Sequence, residues 1–195
     1  MKRLARIISN ISIPPVFAAI VFVVLSLHLE QTWVNKVSVL VICIAAAVIL
    51  PVWYLVRLAQ RGEVSSLHVP VRHERTRPYL IGALCYFAGL IVLLLVGARQ
   101  EIWGLMWCYF FNTLIITLIN LKWKMSAHAM GAAGALAGVH FVFGNSVAPF
   151  YLLLPIIGWA RLELKAHTLN QIIAGAAAGL FLTLGQLHLL ATILQ

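Results

Sequence analysis

The chain has 195 residues, of which 63% are hydrophobic and only 10% charged, with a formal net charge of +9. Soluble domains are about half apolar and about a quarter charged, so this composition excludes a soluble globular domain and calls for a membrane-embedded one. Aspartate is absent and glutamate occurs five times, which removes the usual carboxylate partner of a catalytic histidine.

The first residues, "MKRLARIISNISIPPVFAAIVFVVLSL", pair a basic start with an apolar run, as a signal peptide does. No small-residue cleavage site follows, and more apolar runs do, so the segment reads as a retained first span. A helix needs about 20 apolar residues to cross a bilayer. Seven runs approach that length: 11–27, 37–56, 79–96, 102–121, 127–143, 147–159 and 169–194. The sixth is short and contains Pro155. The expected fold is all-α, a polytopic transmembrane helical bundle of about 6–7 spans. It forms a single membrane-embedded domain over residues 1–195 with a motif-bearing core from about 68 to 195. The six tryptophans fall near span ends, where interfacial aromatics belong.

If all seven runs cross, every basic residue except Lys36 and Arg99 falls on one face. The positive-inside rule makes that face cytoplasmic. The expected location is the cell membrane, multi-pass, with the polar loops on the cytoplasmic side. Cys43, Cys85 and Cys108 lie in apolar runs without metal or disulfide spacing and read as small buried hydrophobes.

Three polar stretches share the basic face: "HVPVRHERTRP" at 68–78, "KWKMSAH" at 122–128 and "ARLELKAHTLNQ" at 160–171. Even numbers of crossings separate them, so they can meet. Two of them deliver a histidine, His128 or His167, at the head of a long apolar helix. A helix N-terminus presents unsatisfied N–H donors and the positive end of a dipole, a natural anion site. Arginine grips phosphate oxygens through parallel hydrogen bonds. The combination suggests a phosphate pocket with two imidazoles, one to attack phosphorus and one to protonate the leaving oxygen. Below the histidines, Gly134 with Gly138 and Gly175 with Gly179 form two GxxxG pairs, which predicts that these two helices pack closely. His28, His140 and His188 read as packing or interfacial residues, and His68 and His73 as loop residues beside lipid headgroups.

On these residues the chain resembles the type 2 phosphatidic acid phosphatase superfamily of membrane lipid phosphatases. That family carries a basic residue, six residues, then Arg-Pro; then Pro-Ser-Gly-His; then Ser-Arg, five residues, His, three residues, Asp. Here Arg77-Pro78 ends the first motif, Met125-Ser126-Ala127-His128 stands at the second, and Ala160-Arg161, His167 and Gln171 stand at the third. Pro70 occupies the first basic position, with Arg72 the nearest substitute, and Gln171 replaces the aspartate.

The resemblance implies a metal-independent, cofactor-free hydrolase of a lipid phosphate or prenyl diphosphate. His167 would be the nucleophile, forming a phosphohistidine, and His128 the proton donor. Gln171 would orient His167, and Arg72, Arg77, Lys124, Ser126 and Arg161 would hold the phosphoryl oxygens. The partners expected are the bilayer and a membrane lipid substrate, with no nucleic acid; a homodimer is compatible with the sequence. The rival reading, argued from the missing aspartate, is a catalytically impaired relative that binds phospholipid or scaffolds a partner.

Overall fold

The computed structural model describes residues 1–194, all of whose regular elements are helical. In chain order they are α1 (Lys2–Ile11), α2 (Pro14–Leu29), α3 (Trp33–Ile44), α4 (Leu50–Gln60), α5 (Thr76–Leu95), α6 (Gln100–Asn120), α7 (Ala127–Phe143), α8 (Leu153–Glu163) and α9 (Leu169–Ile193). Five helical runs are long and apolar enough to cross a membrane, and six if α1 and α2, bent by 47° at their junction, count as one span. The chain is thus an all-helical, multi-pass membrane protein. It gathers into two compact units, residues 22–124 and residues 1–21 with 125–194. The motif-bearing stretch is divided between them at Lys124 and Met125.

In the 22–124 unit, α3 and α4 form one 28-residue run, Trp33–Gln60, joined by a π-helical turn at Ala45–Ile49. Pro51 explains the turn: it has no N–H to donate back along the ladder, and a local widening absorbs the mismatch. α5 packs on this turn at Gly89, where an added Cβ would lie 2.5 Å from the Ala46 Cβ. Phe22, Leu25, Leu93, Ile102, Leu105 and Met106 are buried in the core, and Tyr109 of α6 meets the rings of Phe22 and Tyr86 at 5.5 and 5.6 Å. Leu84, Ile91 and Leu95 form an exposed apolar row on α5, the arrangement a hydrocarbon solvent favours.

The other unit is organised by α7 and α9. Added Cβ atoms at Gly134 and Gly175 would lie 3.2 Å from the Thr183 Oγ1 and 2.5 Å from the Ser126 carbonyl oxygen, and one at Gly179 would run into the Met130 carbonyl. Residue numbers rise together along the contact, so the helices run parallel with both N-termini at one end. The close packing expected from the GxxxG pairs is present, and it exists because glycine lets the two backbones touch.

The run 127–163, expected as two spans, is one uninterrupted helical stretch containing a 3-10 segment, Gly144–Leu152. It nevertheless doubles back. α8 ends only five residues before α9 begins, so its C-terminus lies at the end occupied by the N-termini of α7 and α9. Gly144, at φ +60° and ψ −147°, stands at the reversal in a conformation that costs other residues strain. α8 has 11 residues, about 16 Å of rise, roughly half a hydrocarbon thickness of about 30 Å. The stretch 147–159 is therefore a broken return leg, interrupted by 3-10 geometry at Pro149, rather than a straight span.

A candidate site at the paired helix N-termini

Ser126 is the N-cap of α7. Its hydroxyl accepts from the Ala129 N–H at 3.4 Å, satisfying one of the helix's orphan donors. Its own N–H donates to the Gln171 carbonyl at 3.1 Å, a main-chain bond that ties the start of α7 to the first turn of α9. His128, the second residue of α7, is buried just inside this junction. Nothing larger than glycine fits at position 175 without displacing the Ser126 carbonyl, so the register of the junction is set by backbone contact.

His167 precedes α9 and is also buried. Thr168 caps the helix: its hydroxyl accepts from the Gln171 N–H at 3.4 Å, and the Gln171 Oε1 accepts from the Thr168 N–H at 3.2 Å, a complete capping box. The same Oε1 lies 3.1 Å from the His167 Nδ1. The Thr168 N–H can only donate, which fixes the amide with its oxygen toward the histidine. A carbonyl oxygen can only accept, so Nδ1 carries the proton. In the neutral ring the lone pair therefore sits on Nε2. Gln171 holds the imidazole in one tautomer and one orientation, although a neutral amide stabilises an imidazolium less than a carboxylate would.

Arg161 lies in the last turn of α8 and is buried. Its Nη1 donates to the hydroxyl of Ser9 on α1, itself buried. Between Arg161 and His167 the helix is closed by two bonds, Lys165 N–H to the Leu162 carbonyl at 2.8 Å and Ala166 N–H to the Arg161 carbonyl at 3.0 Å. This is a Schellman cap, but Lys165, at φ +51°, fills the left-handed position where glycine is usual. The five residues between Arg161 and His167 thus form a rigid closing turn rather than slack loop. Ser126, His128, Arg161, His167 and Gln171 all stand at the same end of this unit.

Arg72, Arg77 and Lys124 belong to the 22–124 unit. Arg72 is exposed, and its Nη1 donates to the Leu121 and Asn120 carbonyls, at 2.5 and 3.4 Å, while the Asn120 side-chain amide returns a bond to the Arg72 carbonyl at 2.8 Å. Arg77 is exposed and forms an ion pair with Glu63. The buried Arg75 donates through Nε to the Val69 carbonyl at 2.8 Å. Lys124 is half-buried at the end of the loop after α6.

The sequence reading missed Ser9, Thr168 and Asn120. Thr168 was legible, because Thr-x-x-Gln before an apolar run is a capping-box pattern; Ser9 and Asn120 act across 152 and 48 residues and left no local signal. His68 and His73 are exposed loop residues. His140 packs on Tyr151 at 5.8 Å and His188 on Phe141 at 5.1 Å, the packing roles expected of them. Among the described residues, no three His, Cys, Asp or Glu side chains cluster as metal ligands. No family model, curated protein or solved structure matches the chain.

Proposed function

We propose that this chain is an integral membrane hydrolase that removes phosphate from a lipid phosphomonoester or a prenyl diphosphate. In this reading the His167 Nε2 lone pair attacks phosphorus, the bond from phosphorus to the lipid oxygen breaks, and His128 gives that oxygen a proton. Water, deprotonated by His128, then attacks the phosphohistidine, and phosphate leaves as His167 is regenerated. Arg161 supplies positive charge, and the Ser126 hydroxyl and the amides at the two helix starts supply hydrogen bonds, to the phosphoryl oxygens.

The observation that carries the reading is the contact that orients His167: its Nδ1 lies 3.1 Å from the Gln171 Oε1 of the capping box, an acceptor that assigns the proton to Nδ1 and the basic lone pair of the neutral, buried ring to Nε2. A histidine serving only as packing does not need this second constraint. The mechanism calls on no metal and no cofactor. The cytoplasmic face is the proposed side for the site, by the distribution of basic residues. That orientation leans the substrate toward prenyl diphosphates, whose synthases are soluble and release product there. A homodimer is not required.

The test is phosphate release by the purified chain from short-chain phosphatidate and from farnesyl diphosphate. Release by wild type, abolished in His167→Ala, together with an acid-labile phosphoenzyme that accumulates in His128→Ala, would support the proposal. Absence of release from every phosphorylated lipid in a broad panel would sink it. One observation favours a second reading: Gln171 offers a neutral oxygen where the resembled family has a carboxylate. A chain that binds phosphorylated lipid without turnover, acting as a lipid-binding or scaffolding protein, would fit that change.

A further inference from the structure

α1 is unlike the other helices. At about 100° per residue, Leu4, Ile7 and Ile11 share one side and Lys2, Arg3 and Arg6 the next, and all six are exposed. The third side, Ala5 and Ser9, is buried, and from it the Ser9 hydroxyl accepts from Arg161 of α8. The helix departs by 47° from the axis of α2. A helix with a cationic face, an apolar face and a sharp angle to the neighbouring span is built to lie in the headgroup layer, with its apolar row dipped toward the acyl chains. The charge on its surface is complementary to anionic lipid.

We propose that α1 docks on an anionic lipid surface and that this docking, transmitted through Ser9, positions Arg161. The surface helix is then a lipid-charge sensor for the site at the paired helix N-termini. The coupling to catalysis rests on the phosphatase reading above, whereas the docking does not. Three features support the link. Ser9 and Arg161 are both buried, so their bond is shielded from competing water. Arg161 sits one rigid turn before His167, closed at Lys165. Position 160, next to Arg161, is alanine and offers the guanidinium no hydroxyl of its own, so Ser9 on α1 supplies one. Ser9 is thus a positioning residue, acting on a bound anion only through Arg161.

The full chain is reconstituted in nanodiscs of phosphatidylcholine, with or without phosphatidylglycerol. A nitroxide at Ile7→Cys, in a cysteine-free background, reports depth by its relative collision with oxygen and a water-soluble nickel chelate. Anionic discs are expected to move the label toward the apolar phase, with each neutralisation among Lys2, Arg3 and Arg6 lowering surface occupancy roughly fivefold and high salt reversing the effect. A label equally wet in both discs overturns the docking, as does one equally buried in both, which would point to a second copy covering the face. Amide exchange over residues 158–166 reads the transmission without turnover: protection rises in anionic discs in wild type and Ser9→Thr but not in Ser9→Ala. If Ser9→Ala responds as wild type does, the coupling is wrong. Phosphate release should follow the same pattern. A chain that shows the depth and exchange responses but no release under any condition refutes the phosphatase reading and leaves the sensor standing.

Discussion

Two basic segments of this protein invite the same interpretation and are built in opposite ways. In the segment after α4, Arg72 and Arg75 donate to main-chain carbonyls and Arg77 pairs with Glu63, while the Glu74 carboxylate holds the Ser65 N–H and hydroxyl, each at 2.8 Å. These charges fold the loop around the small core of Leu58, Val64 and Val69. Where α8 ends and α9 begins, the buried Arg161 donates to a hydroxyl, and the buried His167 is oriented by an amide oxygen that also caps α9. A count of cations therefore does not locate an anion site. What each guanidinium or imidazole is already bonded to, and how rigidly, separates a loop clasp from a poised group.

The contrast can be broken most sharply at the histidines. On the proposed mechanism, His167→Ala should reduce phosphate release by about a thousandfold or more, since it removes the proposed nucleophile, whereas His73→Ala should leave the rate within about twofold. Equal losses from both would erase the distinction between the segments.

Next come the glycines. Gly175→Leu and Gly89→Leu each force a side chain into occupied space, and each should cost about 2–3 kcal/mol in detergent unfolding. Only Gly175→Leu presses on the Ser126 carbonyl, so only it should lower turnover at least tenfold at temperatures where the protein stays folded. Full activity in Gly175→Leu would show that the α7–α9 register does not set the site.

A smaller effect separates the arginines. Arg161→Ala removes a buried, charge-assisted bond and should cost about 1.5–3 kcal/mol. Arg77→Ala removes an ion pair whose arginine side chain is 68% exposed, worth less than about 1 kcal/mol. If thermal unfolding ranks them the other way, the clasp and the poised group have been confused.

The smallest effect compares helix ends. Gly62 and Gly97, at φ +69°, close α4 and α5 with the same two-bond cap that Lys165 makes at α8. Lys165→Gly should relieve left-handed strain and gain up to about 1 kcal/mol, while Gly62→Ala and Gly97→Ala should each lose about that much. Stabilisation by Lys165→Gly together with lower activity would show that the strained turn serves the site rather than the fold.

Much of this molecule was legible from local pattern. The apolar runs identified α3 with α4, α5, α6, α7 and α9, because a hydrocarbon solvent imposes length and composition on whatever crosses it. The GxxxG pairs announced the α7–α9 contact, and the spacing of His167 and Gln171 announced theirs. The return of the chain over 147–159 was expected from the same apolar runs, but its 3-10 segment, Gly144–Leu152, was not legible: a short apolar stretch with prolines reads the same whether it is one straight helix or is broken.

The order of residues is enough to place the chain in a membrane as helices, to let two glycine-lined helices touch, and to mark which polar residues are candidates for chemistry. All of these are consequences of composition and of contacts within a few residues or turns. Only the packed fold reveals that Ser9 meets Arg161 across 152 residues of chain, that a main-chain bond from Ser126 to Gln171 joins the starts of α7 and α9, and that Arg72 is bonded to the end of α6. Such pairings depend on how packed helices are placed in space, and a polar side chain's partner is set by that placement rather than by its neighbours in sequence.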